Sequence, residues 1–374
     1  MGDIDYSAYV LELSSYQLAL TDNLPCLAAS CLNVSIDHLE WHGNYENYIN
    51  DKLKIYADSK FDILNLDQKY LLEHYFKKNL DVKKDSKIIA YTLSETVKTN
   101  FIKTRDKSNS VPILWVGSFL ENTSEVINPS KYINLGNFSV IAINNLSPVL
   151  QSQHNLSNLL AVLSLLLAKF YDEQSSKNSL TDFSAAVNFL KKHLINIKSY
   201  DGLPFRCQLI TENNKIKVFN DSKSTNLDAT LVALESLKHL VPGKIWLILG
   251  GLVKEDVDDS VSQNAFKASL DQKVAGIIVF GKNKLDRSKL LNIVQPNKKQ
   301  TFKVIELYDK STDKTNNESV INILDKMIEK IFLYALPNDA ILFSPACASF
   351  DMFNNYIHRG EMFNQRIDEY IKKI

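Results

Sequence analysis

Glycine is scarce in this sequence, 11 in 374 residues, and glycine-rich loops that cradle phosphates are correspondingly few. Gly243-Lys244 and Gly281-Lys282 are followed by Ile245 and Asn283, so neither completes a phosphate loop. Cysteine is sparse as well. Cys26, Cys31, Cys207 and Cys347 have neither metal-ligand nor disulfide-framework spacing, which fits a reducing cytoplasm. Basic and acidic residues balance at 43 each, so no bulk attraction to nucleic acid or to an anionic membrane is implied. The longest apolar run, Leu159 to Ala168, contains Ser164 and is too short to span a bilayer. Met1-Gly2-Asp3-Ile4-Asp5 has no basic n-region of a signal peptide. The expectation is a cytoplasmic protein that engages neither nucleic acid nor membrane.

What is present is ordinary globular composition, 45% hydrophobic and 23% charged, with length for two domains or three. Gly202-Leu203-Pro204 is a turn signal, and it divides 1–202 from 203–374. In the first part, Ala8 to Leu11 reads as a buried parallel strand leading into Glu12. Such a strand needs cover on both faces, so the chain reads as beginning inside a domain. Further strands are expected at Cys26 to Leu32 (buried), Phe61 to Leu64, Lys87 to Tyr91 and Val111 to Val116, and helices over Tyr45 to Tyr56 and Leu156 to Tyr171. Lysine- and asparagine-rich segments between the strands read as solvated loops. After Gly202, strands near Lys217 to Phe219, Ile245 to Leu249, Val274 to Phe280, Phe302 to Leu307 and Ala340 to Phe343 alternate with helices, and a closing helix runs from about Met352 to Lys373. That alternation predicts a doubly wound sheet. The fold class is α/β: a truncated parallel-sheet domain, then a Rossmann-like one.

Chemistry concentrates in a few stretches. Asn33-Val34-Ser35-Ile36-Asp37-His38 follows the strand ending at Leu32, the position where open α/β sheets bind ligands. In the next helix Tyr45, Tyr48, Ile49, Leu53 and Tyr56 form an apolar face, and Lys52 lies on it. A lysine there must snorkel, pair or lose its charge. Asn155 and Asn158 share one face at the start of the 156–171 helix, where asparagine serves as a cap or offers an amide to a ligand. Asn220 to Asn226, Gly250 to Lys254 and Ser344 to Asp351 are polar turns after three strands of one sheet, and they should converge on one crevice. Singly, each is an ordinary turn with a helix cap.

The segments Leu11-Glu12-Leu13-Ser14-Ser15-Tyr16-Gln17-Leu18, Asn33 to His38, His154-Asn155, Asn220 to Asn226 and Ser344 to Asp351 together resemble the Mur ligase family, in its motif order and across nearly the whole chain. Within it, the Asn-Asp-Ser-Lys and Ser-Pro-Ala-Cys-Ala-Ser turns are similar to the D-glutamate-adding members and fit a folate polyglutamylating ligase poorly. The resemblance implies an ATP-binding central domain and a C-terminal ligase domain. It implies that ATP phosphorylates the carboxylate of UDP-N-acetylmuramoyl-L-alanine and that the amine of D-glutamate attacks the acyl phosphate. By that resemblance Glu12 binds one Mg2+, and His38 with a carbamylated Lys52 a second. Asn155, Asn158, Arg206, Asp221 and Lys223 hold the nucleotide, and Ser14 contacts substrate. Thr225, Lys254, Ser349, Phe350 and Tyr356 form the D-glutamate pocket.

The family also carries, upstream of the segment matching Glu12, a nucleotide-sugar domain and a Gly-x-x-Gly-Lys-Thr/Ser loop, and neither occurs in this sequence. Leu252-Val253 stands where the family usually has Asp-Gly. Two expectations follow. Either a separate polypeptide or a longer start supplies the loop, or the chain is a non-catalytic remnant or binding module that keeps a ligand pocket.

Overall fold

The computed structural model describes residues 8–35, 38–79, 86–105, 111–118, 131–174, 182–197, 200–238, 240–253, 260–270, 273–296, 301–308 and 317–373. The chain divides into two units, Met1–Asp201 and Gly202–Ile374, each with its own sheet. No helix among the described residues is long and apolar enough to cross a membrane.

Unit 1 opens with extended chain over 8–14, then α1 (Ser15–Ala19), β1 (Cys26–Ser30), α2 (Leu39–His42) and α3 (Tyr45–Leu53), which tightens into a 3-10 turn over Lys54–Tyr56. There follow β2 (Ser59–Asn65), α4 (Lys69–Asn79), β3 (Lys87–Thr92), α5 (Glu95–Thr104), β4 (Ile113–Ser118), β5 (Lys131–Leu135), β6 (Phe138–Ala142), α6 (Gln153–Glu173) and α7 (Phe183–Leu194). The strands lie in the order β1-β2-β3-β4-β5-β6. Pairing is parallel from β1 to β4 and antiparallel through β5 and β6. Successive strand residues face opposite sides. Phe61, Ile63, Ile89, Tyr91 and Leu114 therefore pack with α6 and α7, while Leu64, Ala90 and Ile113 pack with α3, α4 and α5.

Three expectations are corrected here. Ala8 to Leu11 is not a strand, and Tyr9 and Val10 are 79% and 89% exposed. An apolar run becomes a central strand only when strands flank it, and among the described residues β1 is the outermost strand of this sheet. For the same reason β1 is half-exposed rather than buried, with Leu27 38% accessible. The segments between β2, β3 and β4, expected as solvated loops, hold α4 and α5, and beyond β4 an unanticipated hairpin of β5 and β6 turns at Gly136 in the left-handed region.

Unit 2 contains β7 (Gln208–Asn213), β8 (Ile216–Asn220), α8 (Leu227–Lys238), β9 (Ile245–Gly250), α9 (Ser260–Ser269), β10 (Val274–Phe280), α10 (Lys284–Val294), β11 (Lys303–Leu307), α11 (Asn317–Tyr334), β12 (Ala340–Phe343) and α12 (Tyr356–Ile371). The order is β11-β10-β9-β12-β8-β7, parallel except for β7, which pairs antiparallel with β8. Continuous apolar strands suit a sheet covered on both faces. Ile245, Leu247 and Leu249 pack with α8, α9 and α10, and Trp246 and Ile248 pack with α11 and α12. The doubly wound expectation holds, with an unanticipated antiparallel edge strand, β7. The closing helix starts at Tyr356, later than Met352, because Asn355 caps it by accepting from the His358 N–H.

Because β9, β12 and β8 are neighbours, the turns after them leave the same end of the sheet. Parallel order thus brings together residues more than a hundred positions apart.

Candidate functional site

In unit 2 the turn after β8 is built around two buried polar side chains. Asn220 donates from Nδ2 to the Gly360 carbonyl at 2.9 Å and accepts from the Ser222 N–H at 3.0 Å. Asp221 accepts at Oδ1 from the Cys207 N–H (3.0 Å) and at Oδ2 from the hydroxyls of Ser224 and Ser344, the latter at 2.6 Å. Burial raises the Asp221 carboxyl to about 6, against these hydrogen bonds and the positive charge of Arg206, which lower it. Asp221 thereby fastens the β8 turn to the β12 turn. The β9 turn joins them through paired backbone hydrogen bonds between Leu252 and Ala348, 2.9 Å each. Gly250 and Gly251 have φ of +154° and +129°, and a Cβ at Gly251 would lie 2.3 Å from the Ala348 carbonyl. Only glycine allows that approach.

Beneath the turns lies Arg359, fully buried. Its Nε donates to the Ser222 hydroxyl at 3.0 Å, Nη2 to the Ser222 carbonyl at 2.8 Å and Nη1 to the Cys347 carbonyl at 2.9 Å. Burial lowers the guanidinium to about 10, so it stays charged at neutral pH. Sequence reasoning gave Arg359 no role. A signal existed: Arg359 shares the buried stripe of α12 with Phe363 and Ile367, the same kind of misfit that drew attention to Lys52.

Other expected unit 2 residues surround this knot. The Lys223 ammonium sits 4.1 Å from the centre of the Tyr356 ring, a cation–π pair. Thr225 is half-buried just before Asn226, whose Oδ1 accepts from the Ala229 N–H as the cap of α8. Arg206 is exposed between Phe205 and Cys207, both left-handed. Ser349 is buried, and its carbonyl accepts from Met352 and Phe353. Phe350, by contrast, is 71% exposed. Lys254 lies outside the described residues.

In unit 1, Ser14 caps α1 in a reciprocal box with Gln17. Glu12 is exposed in the extended chain before it. Ile36 and Asp37 lie outside the described residues. His38 is left-handed (φ 61°), and its Nδ1 is 2.8 Å from the Tyr16 hydroxyl. Lys52 is half-buried on α3 with Nζ 5.3 Å from the Tyr48 ring, and the His38 ring meets the same tyrosine edge-on at 6.3 Å. Lys52 is near enough to the Cys31 thiol to oppose the rise that burial gives it. Among the described residues, no three His, Cys, Asp or Glu side chains could hold a metal. The expected pairing of His38 with Lys52 would offer Mg2+ an oxygen donor only if Lys52 were a carbamate, since an ammonium has no lone pair to give.

At the start of α6 the cap is Ser152, not either asparagine. Asn155 donates to the Val149 carbonyl at 2.8 Å, and the Asn158 amide lies 3.2 Å from His154 Nε2. Asn158 is therefore the freer of the two amides to turn toward a ligand. A phosphate cradle does not fit the residues present, because no complete phosphate loop exists in the sequence.

Residues 1–166 match the family model described as Mur ligase middle domain, and 205–347 the one described as Mur ligase, glutamate ligase domain. The chain is 29% identical over 365 residues to the UDP-N-acetylmuramoylalanine--D-glutamate ligase of Pseudoalteromonas translucida, covering 98% of this chain and 63% of that relative. It is 30% identical over 358 residues to the ligase of the same name from Buchnera aphidicola, covering 96% and 63%. The chain thus spans under two thirds of the length of these relatives. Among solved structures, its fold is similar to MurF from Acinetobacter baumannii, at 13% identity and a TM-score of 0.53, over 96% of this chain and 62% of that one.

Proposed function

The chain belongs to the Mur ligase family, and from that premise we propose that it is the central and C-terminal part of an ATP-dependent ligase adding D-glutamate to UDP-N-acetylmuramoyl-L-alanine in peptidoglycan precursor synthesis. The observation that carries this reading is the knot of three strand-end turns in unit 2, held by Asp221 and Arg359; Asp221, Ser222, Ser344 and Cys347 of that knot lie within 205–347, the stretch that matches the glutamate ligase domain. On this reading the cytoplasm is its compartment, and Mg2+ and ATP are its cofactors.

When bound, Mg-ATP supplies the phosphoryl group that activates the substrate carboxylate. The work of this chain is positioning. Tyr16 orients the His38 ring through Nδ1. Lys52 as a carbamate adds an anionic oxygen beside it. Lys223, steered by the Tyr356 ring, presents its charge to a nucleotide or carboxylate oxygen. On this reading Asn155 and Asn158 in unit 1, and separately Arg206 and Asp221 in unit 2, are residues for nucleotide contact, and Ser14 for the nucleotide-sugar. Thr225, Lys254, Ser349, Phe350 and Tyr356 receive D-glutamate. The residues of this sequence supply no complete phosphate loop.

The test is phosphate release from ATP in the presence of UDP-N-acetylmuramoyl-L-alanine, with D-glutamate compared against L-glutamate. The missing loop also favours a second reading, a non-catalytic module that retains a pocket. Restoring an upstream loop-bearing segment separates the two: a ligase gains D-glutamate-dependent turnover and a remnant stays silent.

A further inference from the structure

A continuous chain of polar contacts links α1 to α3 and runs through one carboxylate. The buried Ser15 hydroxyl, on the first residue of α1, lies 2.9 Å from His42 Nε2. His42 Nδ1 lies 2.9 Å from Asp51 Oδ2. A carboxylate only accepts, so Nδ1 carries the proton, and in the neutral imidazole Ser15 donates to Nε2. The other oxygen, Asp51 Oδ1, is 3.0 Å from the Lys54 ammonium, which donates to the Ala19 carbonyl at 2.9 Å. Ala19 is the last residue of α1. Asp51 therefore grips both ends of that helix, by imidazole at one end and by ammonium at the other. The Asn47 amide donates to the His42 carbonyl at 3.0 Å and holds the imidazole's own segment against α3.

Ser15, His42 and Asp51 have the connectivity of a hydrolytic triad. Ser15 is only 3% accessible and the His42 side chain 0%, so no substrate reaches the hydroxyl. With its hydroxyl and imidazole closed to solvent, the relay positions its neighbours instead. At five residues α1 is too short to hold its place alone, yet it presents Ser14 and Tyr16, and Glu12 lies just before it. Asp51 adjoins Lys52 in sequence.

We propose that Asp51 is a positioning residue that fixes the Glu12–Tyr16 segment against the helix bearing Lys52, through His42 and Lys54. What the positioned segment does rests on the ligase reading above; the anchoring itself does not.

Amide exchange read by mass spectrometry on the full chain tests it, comparing wild type with Asp51→Ala and with Ser15→Ala, which removes a single hydroxyl. Asp51→Ala should speed exchange across residues 15–20 roughly tenfold while β2 and β3 stay protected, and Ser15→Ala should loosen the start of α1 alone. Mn2+ binding, followed by electron paramagnetic resonance, should weaken in both variants although the ligase reading gives neither altered side chain to the metal. Unchanged exchange over 15–20 in both variants overturns the inference, as does faster exchange with wild-type Mn2+ affinity. A wild-type chain that fails to bind Mn2+ counts against the metal reading, and exchange then decides the anchoring by itself.

Discussion

Arg359 grips Ser222 at two points, hydroxyl and carbonyl, and its remaining arm takes the Cys347 carbonyl. One side chain of α12 thus ties the turn after β8 to the turn after β12. Arg359→Met keeps much of the bulk and strands both carbonyls without a donor. Unfolding in urea should show a loss of about 2–4 kcal/mol. A loss within the error of the measurement would mean that the turns hold themselves.

Asp221 makes stability depend on pH in an unusual direction. Its carboxyl is raised by burial from 3.8 to about 6, so between these values the folded state binds more protons than the unfolded one. Stability from this group is then present at low pH and lost as pH rises through 6. Relative to Asp221→Asn, the wild type should lose on the order of 3 kcal/mol between pH 4 and pH 7. Denaturant midpoints of both proteins across that range check the sign, and a wild type that gains on the variant contradicts it.

Two glycines with positive φ should respond differently to alanine. Gly251 (φ +129°) has the Ala348 carbonyl 2.3 Å from where a Cβ would stand, whereas Gly43 (φ +80°) meets nothing nearer than Asn47 Nδ2 at 3.9 Å. Gly251→Ala should cost about 2–4 kcal/mol and Gly43→Ala about 1 kcal/mol. Thermal melts of the two variants make the comparison, and equal losses would refute it.

Lys52 should carry a labile carboxyl group. Carbon-13 NMR after equilibration with labelled bicarbonate should give a carbamate resonance that Lys52→Ala lacks. Mn2+ affinity should fall in that variant by on the order of a hundredfold. A spectrum unchanged by the substitution would leave Lys52 as a lysine lying along Tyr48.

These residues also show what could be read before folding. β10 and β12 were legible because four or more consecutive apolar residues suit only a strand covered on both faces. Lys52 was legible as a charge on an apolar stripe. Ala8 to Leu11 has the same apolar look but lacks flanking strands, and composition alone does not reveal that. β7 has only the adjacent apolar pair Leu209 and Ile210 among polar residues, no alternation, and so offered no pattern. Arg359 and Ser222 stand 137 positions apart, so their contact emerges only when β8 and β12 pair. The Asp51 relay was hidden for a similar reason, because it depends on how a five-residue helix lies across another.

The most direct test of the whole account is phosphate release with ATP, UDP-N-acetylmuramoyl-L-alanine and D-glutamate, by this chain alone and by a chimera that adds the part of the Pseudoalteromonas translucida relative that this chain does not cover. The account predicts a silent chain and a chimera whose turnover requires all three substrates and rejects L-glutamate. Turnover by the chain alone, or a folded chimera that prefers another amino acid, would contradict it.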